Sequence, residues 1–210
     1  MKIHDKTVQG SQEWLQLRLG KVTASEADQL VTPLWKIKTG EGPRTLRYRK
    51  LAEKATGAPC EEAFESFAMG QGKLLEPEAI AYLELMEGVK VDRVGFVETD
   101  DGRAGCSPDG LIGADGGLEL KCPRPQKHIQ YLMDGVLPPE YAAQVHWSML
   151  VCERPRWTFL SYARGFPPLV VKVERDEAIQ ATLRAALDTF NAAFDADWKK
   201  IETWPTSRHP

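Results

Sequence analysis

Apolar residues recur at helical spacing in some stretches of the chain and alternate with polar ones in others, and the change of period divides it into elements. Between residues 11 and 19 the apolar positions Trp14, Leu15, Leu17 and Leu19 predict a short helix, opened by Ser11 as N-cap and stopped by Gly20. Thr23-Ala24-Ser25-Glu26 has the spacing of a capping box, so a second helix is expected to begin at once. Helices are predicted over 43–56, ended by Gly57, and over 72–87, where Pro77 opens the second part or kinks it. From residue 89 to 121 the pattern changes to strands, separated by turns at Asp100-Asp101-Gly102 and at 113–117. A helix over 139–152 carries a polar stripe of Tyr141, Gln144 and Ser148 and an apolar one of Ala142, Val145 and Met149. Strands over 157–163 and 169–173 precede a long amphipathic helix from Asp176 to about residue 198. This order predicts an α/β (α+β) fold with a mixed central β-sheet flanked by helices. No Ser/Gly-rich linker interrupts the 210 residues, so a single domain over 1–210 is expected.

Chemistry concentrates in one strand region. Pro108-Asp109 is followed, nine residues further on, by Glu119-Leu120-Lys121. Alternation sends Glu119 and Lys121 to one face and Leu118 and Leu120 to the other. The turn residues Ala114-Asp115-Gly116-Gly117 can fold Asp109 back beside them. Two carboxylates and an ammonium would then meet among apolar neighbours, where charges are costly unless they serve a site. Oxygen ligands of this kind hold Mg²⁺ and leave positions for water and a phosphate, while a nearby Lys can orient the attacking water. This donor set points to phosphodiester chemistry.

Charge changes the picture further. The formal net charge is −3, yet Lys36, Lys38, Arg44, Arg47, Arg49, Lys50 and Lys54 cluster between Pro33 and Thr56, against Glu41 and Glu53. Acids dominate from Glu61 to Asp101. A basic track beside an acidic, metal-loading centre fits a nucleic-acid substrate. The four cysteines lack CxxC spacing, so neither zinc nor disulfides are expected, and Cys106 and Cys122 read as small buried packing groups. His146, two positions after Gln144, points elsewhere on its helix and reads as structural. No stretch is apolar enough to span a bilayer and the N-terminus lacks an apolar leader, so a cytoplasmic protein without membrane contact is expected. Arg18 beside the N-terminus of the helix opened by Thr23, with Ser25, suggests a seat for a phosphate.

The motifs Arg18-Leu19-Gly20…Val22-Thr23-Ala24-Ser25-Glu26, Cys106-Ser107-Pro108-Asp109-Gly110-Leu111, Gly117-Leu118-Glu119-Leu120-Lys121-Cys122-Pro123, Ala143-Gln144-Val145…Ser148-Met149 and Glu174-Arg175-Asp176-Glu177 occur in the order found in a known group of nucleases. Over roughly residues 14–176 the chain resembles the bacteriophage lambda exonuclease family, a branch of the PD-(D/E)xK nucleases that includes YqaJ-type viral recombinases. The resemblance implies a restriction-endonuclease-like core. It also implies processive 5′-to-3′ degradation of one strand of linear double-stranded DNA to mononucleotides, leaving a 3′ overhang for a single-strand annealing protein, within a homotrimer ring in the host cytoplasm.

Carried over by motif, the resemblance makes Asp109, Glu119, the Leu120 carbonyl and Glu76 the ligands of two Mg²⁺ ions, with Mn²⁺ tolerated. Lys121 attends the water, and Gln144 supports either that water or Lys121. Arg18, Ser25 and Ser107 hold the 5′-phosphate, and Met69 acts as the apolar wedge that separates the strands. Lys36, Lys38 and Arg44 are the candidates for the DNA track. Glu76 is the least regular of these positions, because the residue before a proline is pushed away from α geometry. The same strand pair would also suit a restriction or junction-cleaving endonuclease, or a non-catalytic DNA-binding module, although the joint presence of Asp109, Glu119 and Lys121 argues against decay.

Overall fold

The structure, a computed structural model, describes residues 1–60 and 67–204, and the side chains of these except 67–73. Short strands and longer helices alternate: β1 (Lys2–His4), α1 (Gln12–Arg18), β2 (Val22–Thr23), a 3₁₀ turn (Ala24–Gln29), α2 (Glu41–Thr56), α3 (Phe67–Glu87), β3 (Val91–Asp92), β4 (Phe96–Glu98), β5 (Ala104–Cys106), β6 (Gly110–Ile112), β7 (Gly116–Lys121), α4 (Pro125–Asp134), α5 (Pro139–Cys152), β8 (Arg156–Ser161), β9 (Leu169–Glu174) and α6 (Glu177–Glu202). The expected mixed α+β architecture is present, with the strands divided between two mixed sheets flanked by helices.

The first sheet has the order β1-β4-β5-β2 and the second β3-β6-β7-β8-β9. In the second, β6 and β7 form an antiparallel pair in which Gly110 faces Leu118, and β7 runs parallel to β8 with Glu119 opposite Phe159. Leu118 and Leu120 leave one face of β7 and pack with Ala79, Ile80 and Leu83 of α3 and Leu160 of β8. Val145, Trp147 and Met149 of α5 join Val97, Cys106, Leu183 and Phe190 in the larger core. Helices therefore cover the β7 region from opposite sides, and the polar face of β7 is left to the site.

Three expectations change. The helix opened by Thr23 forms with the expected capping box, but as six residues of 3₁₀ and not α geometry. Thr32 precedes Pro33, which disfavours α geometry there, and the chain instead turns through an isolated bridge between Val31 and Ile37. The helix that contains Pro77 runs continuously from Phe67, so Glu76 keeps helical geometry despite its neighbour. Two short strands, β1 and β2, and the helix α4 arise where no periodic signal stood out. Ser11 does cap α1, accepting from the Trp14 backbone N–H at 3.2 Å.

Candidate active site

The turn between β6 and β7 brings Asp109 back onto the centre of β7. The Asp109 backbone N–H donates to the Leu118 carbonyl at 3.1 Å, and the Leu120 N–H donates to Asp109 Oδ2 at 2.6 Å. On the same face, Lys121 Nζ lies 2.6 Å from Glu119 Oε1, and Gln144 Nε2 of α5 donates to that oxygen at 2.7 Å. Alternation placed Glu119 and Lys121 together, the turn brought Asp109, and the polar stripe of α5 supplied Gln144. Tyr141, one turn earlier on α5, lies with its ring centroid 5.0 Å from Lys121 Nζ and stacks on Phe159. That aromatic support for the lysine was visible in sequence only as part of the polar stripe.

Burial sets the electrostatics. Glu119 is 2% exposed. Desolvation pushes the Asp109 carboxyl up to about 8, and repulsion from Glu119 and Glu76 adds to this while Lys121 and the Leu120 N–H oppose it. Desolvation also raises Glu119, against the pull of Lys121. Burial acts to lower Lys121, but the attraction of Glu119 and Asp109 outweighs it and the ammonium is held above its ordinary value. In this arrangement Lys121 is a hydrogen-bond donor and a positive charge beside Glu119. The Cys122 thiol next to it is half-buried rather than buried, and desolvation with the nearby Glu76 pushes it up to about 12. Cys106, in contrast, is fully buried, with its sulfur 3.5 Å from that of Cys152.

Two buried carboxyl groups beside one ammonium form an oxygen donor set that suits a hard cation, whose charge would favour the ionised form of Asp109 that burial disfavours. Glu76 lies at the rim of the same region, and Arg93 Nη2 is 3.6 Å from its Oε2. Among the described residues no three carboxylate, imidazole or thiol side chains already converge as a closed chelate. In this arrangement Asp109 is bonded to Leu120, and Glu119 to Lys121 and Gln144.

The residues expected to seat a phosphate also assemble. Arg18 Nη2 donates to Thr23 Oγ1 at 3.3 Å, and Thr23 Oγ1 lies 3.4 Å from Ser25 Oγ. Trp14 Nε1 donates to Ser107 Oγ at 2.8 Å, and the Arg18 guanidinium stacks 4.2 Å above the Trp14 ring. Trp14, read from sequence only as an apolar helix position, and Thr23, read only as a cap, are what joins Arg18, Ser25 and Ser107 into one group. The helix N-terminus expected beside them is that of the six-residue 3₁₀ segment capped by Thr23 and Glu26.

The basic run is mostly engaged internally. Arg47 pairs with Asp197 at 2.8 Å, Arg49 and Lys50 reach Glu26 at 2.7 and 2.8 Å, and Lys54 lies over the Trp198 ring. Lys36 and Arg44 are exposed, and Lys38 donates to the Asp28 carbonyl at 2.6 Å. The side chain of Met69 lies outside the described residues. His146 is buried, and burial lowers its basicity, as befits a structural residue. Among the described residues no helix is long and apolar enough to cross a membrane.

No curated protein sequence matches the chain significantly. Among solved structures, that of an alkaline exonuclease (LHK-Exo) from Laribacter hongkongensis is 29% identical, covers 91% of this chain and 96% of its own, and superposes with a TM-score of 0.80. LHK-Exo in complex with dAMP gives 0.81 at the same identity and coverage. A phage-related exonuclease from Haemophilus somnus 129PT, 13% identical over 86% of this chain and 96% of its own, shares the fold with a TM-score of 0.65. Residues 13–155 match the model of the YqaJ-like viral recombinase domain. The chain belongs to the YqaJ-like viral recombinase domain family, and its fold is that of a nuclease.

Proposed function

We propose that this protein is a Mg²⁺-dependent exonuclease of the PD-(D/E)xK type. It degrades one strand of linear duplex DNA from a 5′-phosphorylated end, releases mononucleotides and leaves a 3′ overhang. The observation that carries this is the convergence of Asp109, Glu119 and Lys121 on one face of the β6–β7 pair, with Gln144 held to Glu119. LHK-Exo, the alkaline exonuclease that this chain resembles, was crystallised with dAMP, a deoxynucleoside monophosphate such as this digestion would release.

Asp109, Glu119, the Leu120 carbonyl and Glu76 would hold two Mg²⁺ ions, with Mn²⁺ as a substitute. Bound metal of this kind supplies an activated water and stabilises the leaving oxygen. Lys121, as an ammonium, orients the attacking water and offsets charge on the scissile phosphate. Gln144 and Tyr141 hold Lys121 and Glu119 in place. Arg18 presents a planar fork to the terminal 5′-phosphate, joined by the Ser25 and Ser107 hydroxyls, and so sets the register of cutting. Met69 would part the terminal base pairs, and Lys36, Lys38 and Arg44 would follow the duplex backbone.

A closed homotrimer ring would keep the duplex threaded between cuts, and the overhang would pass to a single-strand annealing protein in the cytoplasm. The test is digestion of linear duplexes with and without a 5′-phosphate, in Mg²⁺ and in EDTA, beside a covalently closed circle. Mononucleotide release from linear ends alone is expected, faster from phosphorylated than from hydroxyl ends. Cutting of the circle would instead identify an endonuclease, and distributive products from a monomeric species in light scattering would rule out the ring.

A further inference from the structure

A second pair of cations, Lys6 and Arg93, lines a cleft that also reaches Asp109. The antiparallel pairing of β1 with β4 brings the loop after β1 against the loop before β4, and the Gly95 N–H donates to the His4 carbonyl at 3.1 Å. A Cβ at Gly95 would run into the Thr7 backbone, so the close approach of the two loops requires glycine there. Gln9 Nε2 then donates to the Val94 carbonyl at 3.1 Å and to the Pro108 carbonyl at 3.0 Å, fastening both loops to the residue that precedes Asp109. Between them lies a cleft of about 400 Å³. Glu76 and Asp109 line it together with Lys6 and Arg93, and Asp5 is the remaining charged group on its walls. None of Arg18, Ser25 or Ser107 lines it.

The Arg93–Glu76 contact, at 3.6 Å between side chains 57% and 31% exposed, is too loose and too wet to be the reason for the arginine. Lys6 is exposed. With the negative charge of Glu76 and Asp109 taken up by cations, the walls retain Lys6 and Arg93 against Asp5. The cleft shares Asp109 and Glu76 with the candidate metal site but none of the residues that would seat the 5′-phosphate, so it offers a place for the strand beyond the scissile phosphate, beside these two cations. We propose that Lys6 and Arg93 form a phosphate subsite for the phosphodiester immediately 3′ of the scissile bond, held at a constant distance from Asp109 by the Gln9 clamp. This rests on the exonuclease activity proposed above.

The test is binding of a 5′-phosphorylated duplex to the full chain, with Ca²⁺ in place of Mg²⁺ so that the DNA is held uncut, as a function of salt. Arg93→Ala should bind roughly tenfold more weakly and lower the slope of log affinity against log salt by about one, with Lys6→Ala doing the same and Arg93→Lys restoring the slope. A duplex with a neutral methylphosphonate 3′ of the scissile bond should weaken wild type but leave Arg93→Ala unaffected. An unchanged slope in both alanine variants overturns the subsite, as does sensitivity confined to a neutral linkage in the complementary strand. Loss of Mg²⁺ affinity in Arg93→Ala with the slope intact overturns it as well, since Arg93 would then serve only Glu76. Each of these outcomes leaves wild-type cleavage in place, whereas a wild type that neither binds nor cuts linear duplexes sinks the exonuclease proposal itself.

Discussion

Gln144 Nε2 and Lys121 Nζ converge on one oxygen of Glu119, Oε1, at 2.7 and 2.6 Å. Glu119 is buried between β7 and α5, so the amide is one of the two donors that satisfy this oxygen. Gln144→Ala leaves the lysine alone with the carboxylate and should lower kcat by roughly tenfold to a hundredfold, the effect of about 1–3 kcal/mol for a lost hydrogen bond to a buried charged group. Gln144→Glu adds a third carboxylate and should be worse. Single-turnover rates on a phosphorylated duplex check this, and equal rates for all three proteins would show that Gln144 has no part in the reaction.

Asp109→Asn, Glu119→Gln and Lys121→Met should each reduce cleavage by at least ~10², since each removes a group aimed at the developing charge. Without metal, Asp109→Asn should also melt higher than wild type, on the order of 2–4 °C per kcal/mol recovered, because it removes a carboxylate that burial and Glu119 disfavour. Melting curves in EDTA separate this from simple unfolding. An inactive Asp109→Asn that also melts lower would point to a structural role.

Stability should depend on pH in a direction set by the same residue. The Asp109 carboxyl is raised from 3.8 to about 8 in the folded chain, so between these values the folded state binds more protons than the unfolded one. Stability of the metal-free protein therefore falls as pH rises through that window. Mg²⁺ competes with the proton, so the rise in Tm that it causes should grow between pH ~6 and ~8 and level off above. Thermal shifts in Mg²⁺ and EDTA across that range test it, and an increment that is constant with pH, or that persists in Asp109→Asn, contradicts it.

Arg18→Ala should remove the preference for 5′-phosphorylated over 5′-hydroxyl ends while sparing much of the slower cleavage of hydroxyl ends. Arg18→Lys should recover only part, since an ammonium cannot reproduce the bidentate fork. Initial rates on the two kinds of end are the measurement. Equal loss on both would mean that Arg18, stacked on Trp14, acts through stability.

Glu26 should govern the acid limb of stability. Burial acts to raise its carboxyl, but Lys50 and the Thr23 donors outweigh it and hold the group below its ordinary 4.5. Its contribution is therefore complete above about that pH and lost as pH falls through the lower folded value. Glu26→Gln, which leaves the buried Lys50 without this partner, should cost on the order of 3 kcal/mol near neutrality and flatten the acid transition. Urea midpoints from pH ~7 down to pH ~3 provide the check, and an unchanged acid limb would mean that the network around Lys50 is held by Glu53 alone.

Much of the site was legible in the chain because its determinants are local. A strand period of two separates Glu119 and Lys121 from Leu118 and Leu120 in any fold that makes 116–121 a strand, and a Gly-rich turn leaves Asp109 few places to go. Ser11 as a cap and Gln144 on a polar helical stripe follow from the same short-range rules.

Tertiary structure alone decided what depends on partners distant in sequence. β1 and β2 are strands of three and two residues whose reason to exist is a pairing with β4 and β5. Arg47, Arg49 and Lys50 look like a free basic track until folding brings Asp197, 150 residues away, and Glu26 against them. Ser107 becomes a neighbour of Arg18 through Trp14, 93 residues from it. Period and turn chemistry act within a few residues and survive any arrangement of the rest, whereas ion pairs, sheet order and the loop contact at Gly95 require two remote segments to be already in place. The chain by itself specified which side chains could gather on one face of β7, and only tertiary packing decided which cations of the basic run are paired internally and which stay exposed.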